Sequence, residues 1–349
     1  MRIAFVLPAP ARVPMGGVSV VMRHAEGLVN RGHDVSVIAP RRAPGLWPRV
    51  REWAVFARDA VHGVLGHGPE AGRLVETLEP PTLQSIDLSF FDAVIATGHQ
   101  TAPWVHHGSH PNPFYFIQGD ERSLSERAEA TWALPLRRFT VAGWLAELLA
   151  SAGHPVEGVV PNAVDPSELF ATTPPRDRPA RVVALYHRHP VKGPEVLIDA
   201  LSRLRKRIPT LEASVFAARP PSHRLPDWVE VSIRPSRETL RALYDGAAVC
   251  LHTSRVEGWG LVPMEAAACG AVVVATASRG PREFLEPERS MMEVAVGDAA
   301  ALADAAESVL RDVERRARLA EAAQVDVARF SWDESTARLE SILTSQRPV

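Results

Sequence analysis

The chain has 349 residues, of which 46% are hydrophobic and 23% are charged, and its formal net charge is −2. This length suits two domains of ordinary size, and the near-neutral charge excludes the broad basic surface that nucleic-acid binding requires. The two cysteines, Cys250 and Cys269, fall in apolar segments and are expected to be buried, reduced thiols of a cytoplasmic protein. The first apolar run is too short for a signal peptide and no segment is long enough to cross a bilayer, so we expect a soluble protein.

Strand and helix patterns alternate along the whole chain, which predicts an α/β fold with parallel sheets. Arg2–Leu7 is an apolar strand, and after a proline-rich loop Gly16 and Gly17 precede a helix that ends near Asn30. This unit is typical of the start of a doubly wound domain, in which glycines at the helix entrance let a ligand approach the backbone. A plain tight connection is the alternative. The G-x-G-x-x-G spacing of a nicotinamide-dinucleotide site is missing.

The least regular part of the first half is residues 44–78. Within it, residues 46–65 place apolar side chains at helical spacing, together with tryptophan and several arginines. We interpret this segment as a core helix with a solvated arginine face, because acidic residues dilute its charge. The alternative is a peripheral contact with an anionic membrane at its cytoplasmic face, or with a lipid-linked acceptor.

Polar residues follow two further strands. His99 comes directly after the buried strand Phe91–Thr97, and Gln118, Asp120 and Glu121 end the strand that begins at Phe114. Ligands of open α/β sheets collect at the carboxyl ends of strands, so these side chains are candidates for substrate contact. The alternatives are a structural histidine and acidic residues that cap the next helix.

A proline-rich, charged stretch without periodicity, residues 166–179, predicts an interdomain linker and a hinge. The strand Ala180–Tyr186 follows, and Arg188 and Lys192 lie between it and the helix Pro194–Arg207. Two cations at a strand end can neutralise a leaving diphosphate without a metal. A solvated loop is the alternative.

The most informative stretch is a strand, a glycine-rich turn and the start of a helix, over residues 247–270. Glu257 lies in the turn, Glu265 in the first helical turns, and Gly270 ends the helix. Unpaired amides at such a junction suit a phosphate, and the two carboxylates suit the hydroxyls that flank it on a sugar and a ribose. The alternative is a solvated Glu257 with Glu265 stabilising the helix through its dipole.

Two glutamates spaced in this way around Gly-Trp-Gly resemble the signature of retaining glycosyltransferases of family 4, which have the GT-B fold. The resemblance implies that Glu257 contacts the donor sugar, that Glu265 contacts the ribose and that His99 lies near the donor sugar. It also implies that the intervening amides hold the diphosphate, those of Gly258, Trp259, Gly260 and Leu261.

Other segments extend the resemblance. Arg188, Lys192 and Gly193 are similar to the Gly-Arg-x-x-x-x-Lys-Gly motif of the family, although the spacing is one residue short and His187 replaces the glycine. Gly16 and Gly17 match the loop that lies near the donor phosphates and the acceptor. Residues around 116–141 show a local likeness to bacterial rhamnosyltransferases.

The organisation that follows is an acceptor domain over residues 1–165, a linker over 166–179, a donor domain over 180–330 and a last helix over 331–349 that packs back on the first domain. The two Rossmann-like domains of a GT-B protein face a cleft. The expected activity is metal-independent transfer of a hexose or deoxyhexose from a UDP, dTDP or GDP sugar to a hydroxyl of a glycan, lipid-linked or natural-product acceptor in a bacterium. No tightly bound cofactor is expected. The alternatives are a nucleotide-sugar 2-epimerase of the same fold and a non-catalytic nucleotide-sugar binder.

Overall fold

A computed structural model of the chain describes residues 1–8, 16–39, 76–78 and 87–345. The chain divides into two compact units, the first comprising Met1–Pro161 with Trp332–Val349 and the second comprising Asn162–Ser331. The strand pairs of the described residues are all parallel, and helices connect most successive strands. This confirms the predicted α/β class with two doubly wound parallel sheets.

The described strands form one sheet in each unit. Their bounds are β1 Arg2–Val6, β2 Asp34–Ile38, β3 Glu76–Leu78, β4 Ala93–Ala96, β5 Pro113–Ile117, β6 Arg137–Thr140, β7 Gly158–Val159, β8 Arg181–Leu185, β9 Glu212–Ala217, β10 Val229–Ile233, β11 Val249–His252, β12 Val272–Thr276 and β13 Met292–Val294. The strand orders are β3-β2-β1-β4-β5-β6-β7 and β10-β9-β8-β11-β12-β13. The order reverses between β1 and β4 in the first sheet and between β8 and β11 in the second, and doubly wound sheets bind ligands at the carboxyl ends of such strands.

The described helices pack against these sheets and against one another. Their bounds are α1 Gly16–Asn30, α2 Ala102–His107, α3 Ala128–Trp132, α4 Gly143–Ser151, α5 Pro194–Arg207, α6 Arg237–Asp245, α7 Leu261–Ala268, α8 Ala299–Arg311, α9 Val313–Val327 and α10 Trp332–Thr344. In α5, proline at the first position fits a helix start, and the buried residues recur at helical spacing up to Leu204. Three basic residues in its last turn complement the helix dipole.

The last helix, α10, packs on α1 within the first unit. A Cβ on Gly27 of α1 would lie 2.7 Å from the hydroxyl of Thr336, so a glycine is needed for this close approach. His24 of α1 lies edge-to-face against Trp332 at 5.4 Å, and its Nδ1 lies 3.3 Å from the same Thr336 hydroxyl. Burial lowers the pKa of His24 to about 3, so the ring is neutral in this contact.

Residues 166–179, predicted as a linker, lie within the second unit and make specific contacts there. The backbone amides of Thr172 and Thr173 donate to the Asp245 carboxylate at 2.8 and 3.0 Å. The buried guanidinium of Arg178 donates to the carbonyl oxygens of Ala247 and Cys269. Proline and charge without periodicity therefore mark an irregular segment here, but one that is held by hydrogen bonds to the helices and strands that follow it.

Two helices, α2 and α6, were not predicted from the sequence, whereas the bounds of α5 agree with the prediction. Both interpretations of residues 46–65, the core helix and the alternative membrane contact, concern residues outside the described part of the chain. Within the part of the chain that is described, no helix has both the length and the apolar composition that a bilayer crossing requires. Cys250 and Cys269 are free and buried, as predicted, and burial raises the pKa of each thiol to about 12.

Candidate active site

The second sheet brings two separately predicted segments to one edge. β8 and β11 are hydrogen-bonded neighbours, and both carboxyl ends lie where the strand order reverses. The chain leaving β8 carries Arg188 and Lys192, and the chain leaving β11 carries Glu257. Because doubly wound sheets place ligands at this position, the two segments define one candidate site within the second unit.

The turn that carries Lys192 is fixed against the segment after β11. The backbone amide of Arg255 donates to the Val191 carbonyl at 2.7 Å, and the Thr253 hydroxyl donates to the Lys192 carbonyl at 2.8 Å. Gly193 has φ +62°, and a Cβ there would lie 2.3 Å from the Thr253 carbonyl oxygen. Glycine is required at this position because both the dihedral angle and the close approach exclude a side chain.

We expect Gly193→Ala to lower the free energy of unfolding by about 2–5 kcal/mol, because overpacking and left-handed backbone strain add together. Gly297→Ala is the matched control, since Gly297 has φ +86° but a Cβ there would meet no heavy atom within 4 Å. That variant should lose only about 1–2 kcal/mol from the backbone. Urea unfolding of both variants gives the comparison, and equal losses would show that the approach to Thr253 is not tight.

Glu257 is the centre of a small buried polar cluster. Its Oε1 accepts hydrogen bonds from Lys192 Nζ and from the Ser254 hydroxyl, each at 2.6 Å. His252 Nε2 lies 3.5 Å from the same oxygen and has no hydrogen-bond partner among the described residues. Burial alone would raise the pKa of Glu257, but the charge of Lys192, the nearby His252 and the two hydrogen bonds outweigh it and lower that pKa. Glu257 is therefore ionised at neutral pH.

The neighbouring histidine is held in its neutral form. Burial lowers the pKa of His252 to about 4, and the charge of Lys192 acts in the same direction against the attraction of Glu257. The Lys192 ammonium uses one of its three N–H donors on Glu257, so two remain for another acceptor. The cluster thus presents one cation with free donors beside one anion with free acceptor positions.

A glycine turn connects Glu257 to α7. Gly260 has φ +97° and immediately precedes Leu261, the first residue of this eight-residue helix. Amide groups in the first turn of a helix have no acceptor inside it, and Pro263 has no N–H at all. The amides of Leu261 and Val262 therefore point out of the amino-terminal end of α7, in a geometry that suits a phosphate.

The side chain of Trp259 is part of the hydrophobic core. It stacks on Phe284 with ring centroids 5.2 Å apart, lies edge-to-face against Phe330 at 5.3 Å and donates its indole N–H to the Met264 sulfur. A Cβ on Gly280 would lie 2.5 Å from the Trp259 carbonyl oxygen, so a second loop also packs closely against this turn. The Trp259 side chain is therefore not available to a ligand, and only its backbone groups are. That the Trp259 amide holds a diphosphate stays a prediction.

Glu265 lies one helical turn further along α7 and is bonded on both oxygens. Arg237 donates from Nη1 to Oε1 at 2.8 Å, and the Tyr244 hydroxyl donates to Oε2 at 3.1 Å. Arg237 also donates from Nε to Glu168 at 3.1 Å. Sequence reasoning missed Arg237 and Tyr244, because both lie on α6, which was not predicted. A signal was present, since Ser236 caps this helix by accepting from the Thr239 amide.

The second predicted cation, Arg188, is exposed in the loop after β8. It makes no hydrogen bond or ion pair with a described residue, whereas its neighbours are tied to the loop. The amide of His189 donates to the His187 ring at 3.1 Å, and the amide of Val191 donates to the His189 ring at 3.2 Å. Arg188 is thus a cation without a partner among the described residues, on the same loop as Lys192.

In the first unit, the residues predicted for ligand contact lie at the reversal between β1 and β4. Gly16 is exposed at the start of α1, and a Cβ on Gly17 would lie 3.3 Å from the Gln118 amide group. His99 follows β4, and its backbone amide donates to Glu121 Oε1 at 2.8 Å. The His99 Nδ1 lies 3.6 Å from this carboxylate oxygen and has no hydrogen-bond partner among the described residues. The cluster sits where the first sheet would hold a ligand.

Glu121 was predicted to contact an acceptor or to cap a helix. The structure buries it and makes it an acceptor for the His99 amide and the Tyr115 hydroxyl. Asp120 accepts hydrogen bonds from the Arg122 amide at 3.2 Å and from the Arg122 side chain at 2.8 Å. Asp120, and not Glu121, is therefore the residue that caps the helical turn that follows. Across the described ranges, no group of three or more histidine, cysteine or acidic side chains is placed to hold a metal ion.

Comparisons with known proteins give a family match that lies within the second unit. Residues 167–326 match the family model described as Glycosyl transferases group 1. The chain is similar to D-inositol 3-phosphate glycosyltransferase of Xylanimonas cellulosilytica, with 34% identity over 172 residues that cover 46% of this chain and 41% of the relative. It is also similar to phosphatidyl-myo-inositol mannosyltransferase of Mycolicibacterium smegmatis, with 26% identity over 390 residues that cover 97% of this chain and 92% of the relative.

The matched residues are thus similar to proteins that are named as glycosyltransferases. The chain covers 41%, 52% and 40% of the length of three D-inositol 3-phosphate glycosyltransferases that it matches, so it spans about half or less of these relatives. The predicted rhamnosyltransferase likeness stays a prediction.

Solved structures show the fold over nearly the whole chain. Sucrose-phosphate synthase from Thermosynechococcus elongatus has a TM-score of 0.75 and 17% identity, covering 98% of each chain. Anabaena HepE in complex with UDP and glucose has a TM-score of 0.74 and 17% identity, covering 99% of this chain and 100% of that one. These likenesses confirm the predicted GT-B fold class of two Rossmann-like units.

Proposed function

We propose that this chain is a retaining, metal-independent glycosyltransferase that moves a hexose or deoxyhexose from a nucleotide-diphosphate sugar to an acceptor hydroxyl. The observation that carries the proposal is the Lys192–Glu257 ion pair, which lies at the reversal of the second sheet beside the amino-terminal end of α7. A cation with spare donors, a carboxylate with spare acceptor positions and outward amides together match a sugar diphosphate, which carries both charge and hydroxyls.

The diphosphate is assigned to the cations and amides of this site. Lys192 and Arg188 neutralise the charge that develops on the leaving diphosphate, and the backbone of Gly258–Leu261 adds hydrogen-bond donors and the positive end of the α7 dipole. Stabilisation of a leaving anion by fixed charges and dipoles is often the largest contribution to catalysis. The exposure of Arg188 and its lack of a described partner support this role, because a paired guanidinium would first have to release its anion.

The hydroxyl groups of the donor are assigned to the two glutamates. Glu257 accepts hydrogen bonds from the donor sugar, and Glu265 accepts them from the ribose. Both carboxylates are already oriented by described donors, which lowers the entropy lost on binding. In the first unit, Gly16, Gly17 and His99 are assigned to substrate contact, and Glu121 holds the loop of His99 by accepting from its backbone amide.

The acceptor is proposed from the names of the relatives. Proteins similar to this chain are named for D-inositol 3-phosphate and for phosphatidyl-myo-inositol. We therefore infer an acceptor hydroxyl on a cyclitol, free or lipid-linked, with a glycan or a natural product as the wider class. No covalent nucleophile is assigned, since the resemblance implies that the acceptor attacks from the face that the leaving group departs.

We expect a nucleoside diphosphate to raise the midpoint of thermal unfolding by about 5–10 °C at a hundredfold excess over its Kd, through binding linkage. The measurement screens UDP, GDP and dTDP, and then follows turnover of the matching sugars with D-inositol 3-phosphate or phosphatidylinositol as acceptor. Turnover should persist with a chelator present, and the anomeric proton coupling of the product should match that of the donor.

The same experiment separates the alternatives. Conversion of the nucleotide sugar in the absence of any acceptor would indicate a 2-epimerase. Thermal stabilisation of the chain by a nucleotide, without turnover with any acceptor of an extended panel, would indicate a non-catalytic binder. Loss of turnover with the chelator, or an inverted product, would contradict the metal-independent and retaining parts of the proposal while leaving transfer itself in place. Absence of any nucleotide effect would contradict the whole assignment.

A further inference from the structure

Glu265 is held by two donors that the proposed chemistry does not use. The Glu265 side chain is only 13% exposed, yet each of its oxygens accepts one hydrogen bond, from Arg237 Nη1 at 2.8 Å and from the Tyr244 hydroxyl at 3.1 Å. An ionised carboxylate has two acceptor positions on each oxygen. The described residues therefore leave one acceptor position on each oxygen of Glu265, and a vicinal diol offers two donors in that pattern.

The two donors are themselves fixed. Arg237 is held from its other side by Glu168, which accepts from Nε at 3.1 Å, so the guanidinium plane is set by two carboxylates. Tyr244 is fully buried, and burial together with the charge of Glu265 raises the pKa of its hydroxyl, which keeps it protonated and able to donate. The orientation of the Glu265 carboxylate is thus determined before a ligand arrives.

Folding stability alone does not account for Arg237. Its side chain is 45% exposed while that of Glu265 is 13% exposed, so the pair is only partly desolvated and its net contribution to the free energy of unfolding is modest. Instead, the orientation that Arg237 gives to the Glu265 carboxylate determines which nucleotide can donate hydrogen bonds to both of its oxygens. A 2′-deoxyribose would leave one acceptor position of a largely buried carboxylate unpaired, and sites built to bond a hydroxyl reject the analogue that lacks it.

We propose that Arg237 and Tyr244 are positioning residues that orient Glu265 for both hydroxyls of a ribose, so that the donor is a ribonucleoside diphosphate sugar and not a 2′-deoxyribonucleoside one. The inference rests on the proposed function of Glu265. It goes beyond that function in two respects, since it excludes the dTDP sugars from the donor class and assigns a role to two residues of α6.

The test compares the Kd of UDP with that of 2′-deoxy-UDP, and the Kd of GDP with that of 2′-deoxy-GDP, by calorimetry on the full chain. Each pair shares its base, so base preference cancels from the ratio. We expect the wild type to favour the ribose form of the nucleotide it binds by about tenfold or more, as one hydrogen bond to a charged group predicts. Arg237→Met and Tyr244→Phe should each reduce this ratio to about threefold or less, and Arg237→Lys should restore part of it.

Arg203→Met is the matched control, because Arg203 is 43% exposed and its ion pair with Asp199 lies on α5. It should keep the wild-type ratio. A wild-type ratio near one, binding of dTDP in preference to UDP and GDP, or an unchanged ratio in Arg237→Met would each overturn the inference and leave the transferase proposal standing. Failure of every nucleoside diphosphate to bind would overturn both.

Discussion

Glu257→Gln is expected to reduce kcat/KM for sugar transfer by about 100–1,000-fold while the chain still folds. Glutamine keeps the size of the side chain and an acceptor for the Ser254 hydroxyl and the Lys192 ammonium, which both bond Glu257 at 2.6 Å. It removes the negative charge that orients Lys192 and that accepts strongly from sugar hydroxyls. The rate of nucleotide release in the presence of donor and acceptor measures the effect, with circular dichroism as the check on folding.

The position of Glu257 explains why the effect should fall on kcat more than on KM. The carboxylate lies next to the cation assigned to the leaving diphosphate, so it acts where charge changes during the reaction. Interactions that strengthen in the transition state lower kcat when they are removed, whereas uniform binding contacts alter KM. Nucleoside diphosphate affinity, which depends mainly on amides and cations, should change by less than about tenfold.

Asp326→Asn is the control for loss of a buried, paired carboxylate. Asp326 lies on α9 in the same unit, its side chain is 4% exposed and it pairs with Arg289. Its amide variant should lose stability without a specific loss of kcat. A rate in Glu257→Gln within about threefold of the wild type would contradict the role of this carboxylate. The loss of even one hydrogen bond to a charged group should lower the rate by more than this factor.

The sequence places the residues of the proposed second-sheet site on two contiguous segments, whose position can be predicted locally, while their role in binding stays a prediction. A strand, a glycine turn with Glu257 and the helix before Gly270 form one local pattern, and the cations after β8 form another. Parallel topology then places the two carboxyl ends at one edge. The spacing along the chain between Lys192 and Glu257 gave no indication of their 2.6 Å ion pair, which depends on the backbone contacts of Val191 and Gly193.

The contacts of Glu265 could not be predicted in the same way. Arg237 is 28 residues away in the sequence, on a helix whose pattern is short and whose partner is set by tertiary packing. The irregular segment 166–179 shows the same limit, since its composition does not reveal that Asp245 binds the amides of Thr172 and Thr173. Long-range polar pairs depend on the assembled sheet, and local propensity contains no information about them.

Lys192→Met is expected to lower both activity and stability, and the stability loss should depend on pH. The variant leaves Glu257 buried beside His252 without its cation, which should cost about 2–3 kcal/mol near neutral pH, less than for a fully buried pair because Lys192 is partly exposed. The rate of transfer should fall by about 100-fold or more, since the leaving diphosphate loses a fixed charge. Urea unfolding and initial rates measure the two effects.

The direction of the pH dependence follows from the pKa of Glu257. In the wild type this pKa is lowered, so the carboxylate stabilises the fold above its unfolded pKa, and this contribution is lost only as the pH falls through the lower folded value. Without Lys192, burial is the largest remaining influence and raises the pKa, so the folded variant takes up a proton on Glu257 or on His252. Its stability should therefore decline as the pH rises, and the difference from the wild type should be larger at about pH 8 than at about pH 5.

The double variant Lys192→Met with Glu257→Gln separates the two effects. Removing both charges leaves no unpaired buried ion, so most of the stability and its pH dependence should return to wild-type behaviour, while transfer stays lost. Lys206→Met, at the exposed end of α5, controls for loss of a lysine; it should leave the rate unchanged and lower the free energy of unfolding by no more than about 1 kcal/mol. If the single and double variants were equally stable at about pH 8, the unpaired charge of Glu257 would not be the cause of the stability loss, and the proposed coupling between Lys192 and Glu257 would not hold.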